Sequence, residues 1–217
     1  MTLALLFDLD GTMVDTDPLH IAAWNAMLAP EGRAIDTAFY RSKIMGFDNP
    51  TCSAAVFPDR SPAERDALSD GKEAAFRAML GRLDPTPGLA DLLDWADAHG
   101  LPKAVVTNAP RANAETMLRG LGWLDRFPVL VIGDELARGK PDPLPYLTGL
   151  QRLGADAVDA MAFEDSLSGM RACVAAGIES VGLQVALEAS ALRAVGASLV
   201  VRDFTDPALW ARLQARM

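Results

Sequence analysis

Short apolar runs alternate along this chain with stretches of helical spacing. Leu3-Ala4-Leu5-Leu6-Phe7 is uninterrupted, as a parallel strand buried on both faces requires, and similar runs recur at 104–106, 129–132, 160–163, 180–183 and 199–201. Leu89–Ala98, Asn113–Leu121, Leu144–Leu153 and Leu167–Ala176 place apolar residues at helical spacing, the first opening behind Pro87-Gly88 and ending at Gly100. Strand alternating with helix predicts right-handed crossovers, and so an α/β fold with a doubly wound, Rossmann-like parallel sheet. From Asp15 to Asp84 the alternation stops: Pro18–Leu28, Ala38–Ile44 and Pro62–Leu83 read as successive helices with no strand between them. This predicts an inserted α-helical cap over 15–85 and an α/β core built from 1–14 and 86–217. Asp84-Pro85-Thr86-Pro87-Gly88 forms the stiffened return.

Composition narrows what such a protein does. Half of the 217 residues are hydrophobic and 23% are charged, which suits a packed globular chain and not a disordered one. The formal charge of −9 repels phosphate backbones, so nucleic acid is excluded as a general partner. The same charge makes a small anionic substrate awkward unless local cations reverse the field. Cys52 and Cys173 lie far apart without metal-ligand spacing, and no run approaches the ~20 apolar residues a bilayer span needs. A cytoplasmic protein with no membrane partner is the expectation. The sequence does not set an oligomeric state, and a monomer is compatible with it.

The chemistry concentrates where strands end, which is where open α/β sheets place their ligand crevices. Phe7-Asp8-Leu9-Asp10-Gly11-Thr12 sets two carboxylates at i and i+2, on one side of an extended segment, where they can converge on one reacting group. Asp8 is then a candidate nucleophile and Asp10 a candidate acid/base; a helix-capping acidic loop is the alternative. Thr107-Asn108 follows the second strand and can grip phosphate oxygens or cap the next helix. Lys140, set between Gly139 and Pro141, can balance transition-state charge or lie solvated in a turn. Glu164-Asp165-Ser166 ends a further strand. Two facing acidic clusters repel one another unless a cation sits between them, and Mg²⁺ suits an all-oxygen set.

In order, spacing and placement, Asp8-Leu9-Asp10-Gly11-Thr12, Thr107-Asn108, Lys140 and Glu164-Asp165 resemble the four motifs of the haloacid dehalogenase-like hydrolase superfamily. The likeness is to its helical-cap branch, which includes phosphoglycolate phosphatases and β-phosphoglucomutases, and it covers essentially the whole chain. The resemblance implies that Asp8 is phosphorylated, that Asp10 is the acid/base, and that Thr107 and Lys140 grip phosphate. It implies Mg²⁺ held by Asp8, the Asp10 carbonyl and Asp165, with Glu164 assisting directly or through water. Asp10 matters to the choice of reaction, since halide displacement needs no proton on the leaving group whereas an alkoxide leaving phosphorus benefits from one.

The expected activity is therefore Mg²⁺-dependent hydrolysis of a small phosphorylated metabolite, a sugar phosphate or phosphoglycolate-like ester. Two alternatives stand beside it: a β-phosphoglucomutase-like phosphosugar mutase, and a non-enzymatic phosphate-responsive binding module. His20, in Asp15-Thr16-Asp17-Pro18-Leu19-His20, matches a cap-entrance histidine that pairs with the acid/base aspartate in the mutase group, or is a partly buried helix histidine; Trp24 four residues on packs the cap interior. A mutase must hold a second phosphate. Arg41 and Lys43 precede Gly46, but no cation follows it in Phe47-Asp48-Asn49. Arg41, Lys43, Phe47, Asn49 and His20 are the candidate substrate contacts of the cap.

Overall fold

The computed structural model describes residues 2–217; Met1, the first residue of the expected core, lies outside them. The described residues form a parallel sheet from β1 (Ala4–Phe7), β2 (Lys103–Thr107), β3 (Val129–Ile132), β4 (Ala160–Glu164), β5 (Glu179–Leu183) and β6 (Leu199–Val201) in the order β3-β2-β1-β4-β5-β6. The order reverses beside β1, so a crevice opens at the carboxyl ends of β1 and β4. Register fixes what meets there. Phe7 pairs with Val105 and with Phe163, so Asp8, Glu164 and Thr107 all emerge within two residues of that level.

Both faces of the sheet are covered, but unequally. Leu5, Phe7, Val105, Met161 and Phe163 turn to the larger core cluster, while Ala4, Leu6, Ala104, Val106, Ala160 and Ala162 turn to the other. Small residues on that second face let α7 (Leu144–Leu153) approach closely, and a side chain at Gly149 would collide with Leu6. On the first face Phe7 stacks on Phe163 with centroids 4.8 Å apart and meets Phe127 edge-on at 5.9 Å.

Between β1 and α5 (Leu89–Ala98) the chain makes α1 (Asp17–Leu28), α2 (Thr37–Lys43), α3 (Asn49–Val56) and α4 (Pro62–Met79). These carry a hydrophobic cluster of their own, including Trp24, Leu28, Tyr40, Ile44, Val56 and Phe57. Two details differ from the sequence reading. α3 is a helix where turn residues stood out, because Asp48 caps it by accepting from the Thr51 amide at 2.9 Å and Pro50 fits its first turn. The long helix stops at Met79 and not Leu83, as Leu80 turns extended. It starts on a capping box, Ser61 with Glu64. The excursion leaves and returns through one gate: the Thr86 amide and hydroxyl donate to the carbonyls of Met13 and Thr12 at 2.9 and 2.8 Å.

α6 (Arg111–Gly120) and α8 (Leu167–Ala175) follow β2 and β4, and α9 (Ala189–Ala194) and α10 (Pro207–Gln214) complete the chain. Among the described residues no helix is long and apolar enough to cross a membrane.

Candidate active site

Asp8 directly follows β1, and its amide still donates to the Phe163 carbonyl at 3.0 Å, so the sheet itself holds the first carboxylate in place. The following turn needs Gly11. Its φ of 79° is left-handed, and any side chain there would strike the Asp165 carboxylate. Thr12 then donates to Asp165 Oδ1 at 3.0 Å, tying the first acidic run to the last.

Lys140 lies at the centre of the cluster, 3% exposed, with Nζ 2.6 Å from Asp8 and 2.5 Å from Glu164. Burial works against its charge, yet the two carboxylates outweigh burial and hold its pKa above the ordinary ammonium range. Asn108 explains the position of Lys140. Its side-chain oxygen accepts from the Lys140 amide at 3.0 Å, and its Nδ2 donates to the Lys140 carbonyl at 3.1 Å and to the Gly46 carbonyl of the inserted segment at 3.3 Å. The Asn108 side chain thus positions Lys140, whatever its main chain offers to a phosphate. Neither Thr107 nor Asn108 caps the next helix, since α6 begins after Pro110 and Thr107 Oγ1 accepts from the Ala109 amide at 3.0 Å.

Glu164 accepts from Lys140, from the Tyr146 hydroxyl at 2.7 Å and from Ser166 at 3.2 Å, and a side chain at Gly169 would displace it. Burial, with Glu164 beside it, pushes Asp8 up to about 7 against the pull of Lys140. Burial likewise lifts Asp165 well above the usual carboxylate range, with Asp8 and Glu164 adding to it. Among the described residues, Asp8, Glu164 and Asp165 bring ligand oxygens within 4.8 Å of one another, all buried. One lysine does not neutralise three carboxylates, and the all-oxygen donor set fits a hard divalent cation.

Asp10 stands apart from that cluster. Its carboxylate accepts from Thr16 at 2.7 Å and meets His20 Nε2 at 3.1 Å, outside the group of Asp8, Glu164 and Asp165 oxygens. Burial opposes its ionisation, but the His20 and Thr16 hydrogen bonds and the nearby Lys72 prevail and hold the carboxyl below its ordinary range. Lys72 Nζ lies 2.8 Å from His20 Nδ1. An ammonium only donates, so Nδ1 accepts and, in the neutral ring, Nε2 carries the hydrogen directed at Asp10. Phe76 stacks on the imidazole with centroids 4.0 Å apart and fixes its plane.

Of the residues expected from the cap, His20, Phe47 and Asn49 line the cleft. Arg41 and Lys43 do not. α2 turns Tyr40 and Ile44 inward, which leaves both cations on its exposed side. Lys72, Glu73 and Asn113 also line the cleft and were missed in the sequence. Lys72 and Glu73 lie with Ser69 and Phe76 at i, i+3, i+4, i+7 spacing on the buried stripe of α4, a stripe too polar to stand out as a core face in the sequence.

The fold and this geometry agree with comparisons to known proteins. The family model of the haloacid dehalogenase-like hydrolases matches residues 2–177, and the chain belongs to that family. It is 36% identical over 178 residues to a phosphoglycolate phosphatase of Xylella fastidiosa, covering 82% of this chain and 78% of the relative. It is 33% identical over 221 residues to the plasmid protein CbbY of Cupriavidus necator, covering 94% and 87%. The crystal structure of CbbY from Rhodobacter sphaeroides in complex with phosphate superposes with a TM-score of 0.86 at 29% identity, covering 95% of this chain and 96% of that one. Within the family this chain is an enzyme of the phosphoric monoester hydrolase class.

Proposed function

We propose that the protein hydrolyses a small phosphomonoester, a sugar phosphate or phosphoglycolate-like ester, through a phosphorylated Asp8, with Mg²⁺ as cofactor and the 15–85 helices acting as a cap over the core. The observation that carries this reading is the buried carboxylate of Asp8 at the head of the central strand, 2.6 Å from Lys140, with Asp10 two residues on. Asp8 attacks phosphorus as the bond to the leaving oxygen breaks, and Asp10, which must take up a proton as it leaves His20 and Thr16, delivers that proton to the leaving oxygen. Asp10 then takes a proton from the water that attacks the aspartyl-phosphate, which regenerates the Asp8 carboxylate and releases phosphate. Lys140 and the Thr107 hydroxyl serve the transferred group. Lys140 also pulls the nucleophile toward its ionised form at a site where burial favours the neutral one.

Asp8, the Asp10 carbonyl and Asp165, with Glu164 directly or through water, would hold Mg²⁺, which supplies positive charge to offset the carboxylates and the phosphate. For Asp10 to reach the leaving group it must exchange its His20 and Thr16 partners for the substrate, which couples the acid/base to the helices that carry both. A mutase would need a cation for its second phosphate, and Arg41 and Lys43 do not face the cleft. Net hydrolysis therefore ranks ahead of the mutase, and a purely responsive module has no use for the proton transfer Asp10 is built to make.

The deciding experiment is a phosphate-release screen over a metabolite panel with and without Mg²⁺. Release that requires the metal and disappears in Asp8→Asn is the expected outcome. Conversion of β-glucose 1-phosphate to glucose 6-phosphate without release would instead establish the mutase.

A further inference from the structure

The part of the cleft walled by the inserted helices has a charge pattern that does more than support Asp10. Among the described residues, the lysine and arginine side chains lining the cleft are those of Lys140 and Lys72. Lys140 is committed to Asp8 and Glu164. Lys72, 3% exposed, donates to Glu73 Oε1 at 3.0 Å and to His20 Nδ1 at 2.8 Å. Glu73 is itself fixed across the cleft: its other oxygen accepts from Asn113 Nδ2 at 2.5 Å, and Asn113 Oδ1 accepts from Arg77 at 2.7 Å. Asp17 adds a second carboxylate to the wall. Arg111, on the core side, lies outside the lining and is clamped by Glu135 at 2.6 and 2.8 Å.

A carboxylate or second phosphate on the leaving group would enter this buried half with every nearby cation already paired, and an unpaired buried anion is costly. A leaving group that carries only hydroxyls meets a different wall. It finds the ring of Phe47, the amide of Asn49, and Trp24, which is fully buried and whose indole N–H has no partner among the described residues.

We propose that Glu73 determines specificity in this cleft: by neutralising Lys72 it makes the enzyme select phosphomonoesters whose leaving group is uncharged and hydroxylated, and reject carboxylated or doubly phosphorylated ones. The inference rests on the phosphatase reading above and narrows it, separating this chain from relatives whose name specifies phosphoglycolate. It assigns Glu73 a role through Lys72 and no contact with the reacting atoms; since Lys72 also bears on Asp10 beside His20, the readout is the ratio between substrates and not the rate with any one.

The test compares kcat/KM for glucose 6-phosphate, 2-phosphoglycolate and glucose 1,6-bisphosphate, with p-nitrophenyl phosphate as the reference ester. The unmutated enzyme is expected to favour glucose 6-phosphate over both charged alternatives by at least about 10-fold. Glu73→Gln keeps the side chain's size and frees the Lys72 charge, and should move the phosphoglycolate to glucose 6-phosphate ratio upward by about 10-fold. An unmutated enzyme that prefers phosphoglycolate or the bisphosphate overturns the proposal, and so does a folded Glu73→Gln with an unchanged ratio. If that variant does not fold, the unmutated ratio decides alone. Release from none of the esters, p-nitrophenyl phosphate included, would bring down the phosphatase reading and this inference with it.

Discussion

Met161 and Phe163 on β4 and Lys72 and Glu73 on α4 are all buried, yet the two pairs are buried for different ends. The β4 residues join a continuous apolar cluster in which neighbouring rings stack, so burying them stabilises the fold directly. The α4 pair is held away from water by hydrogen bonds to His20 and Asn113, and a buried ion pair of this kind contributes little net stability. The sheet keeps its nucleophile in place by packing, whereas the inserted helices spend polar contacts on where charge lies. Apolar packing thus backs the nucleophile, while paired buried charge lines the opposite wall of the cleft.

The harshest way to test this division is at the sheet end of the site. Asp8→Asn keeps the shape and removes the nucleophile, and turnover of p-nitrophenyl phosphate should fall at least about 10⁴-fold with the fold intact by circular dichroism. Next in size is the sheet interior. Phe7→Ala removes a ring that touches Phe163, Phe127 and Phe204, and should cost about 3–5 kcal/mol in urea unfolding.

Asn113→Ala probes the other region. It strips Glu73 and Arg77 of their shared partner and should cost about 1–3 kcal/mol. Hydrogen exchange should place that loss in α4 and leave β1 as protected as before; equal loosening of both would contradict the division.

The smallest effect is a pH dependence. Between 3.8 and about 7 the folded, metal-free protein keeps a proton on Asp8 that the unfolded chain has released, so this group makes stability fall as pH rises through that window. Mg²⁺ relieves the penalty. The gain in Tm on adding it should be a few degrees larger near about pH 7.5 than near about pH 5, and an equal gain at both would count against a metal at Asp8.

The same contrast explains what the sequence disclosed. Most strands were legible as short apolar runs flanked by turn residues, and the acidic motifs were legible because each closes such a run; β1 and β4 prove to be registered neighbours whose ends meet. Lys72 and Glu73 were hidden because α4 is rich in charge and reads as a solvated helix, while the partner that buries Glu73 lies 40 residues further on. Arg41 and Lys43 drew attention for their charge, but sequence does not say which way a seven-residue helix faces. Asn108 was placed correctly at a strand end, yet its use in fixing Lys140 depends on a loop brought beside it by the fold.

The paired bonds from Thr86 to Thr12 and Met13 carry a further consequence. Because the outgoing and returning backbone are stapled side by side, the covalent path into and out of the intervening helices is a single clasp, and their other ties to the core are side-chain contacts such as Asn113 with Glu73. These helices could be exchanged for a different set spliced at the same two points, which would give new selectivity while the strand-end carboxylates keep their spacing.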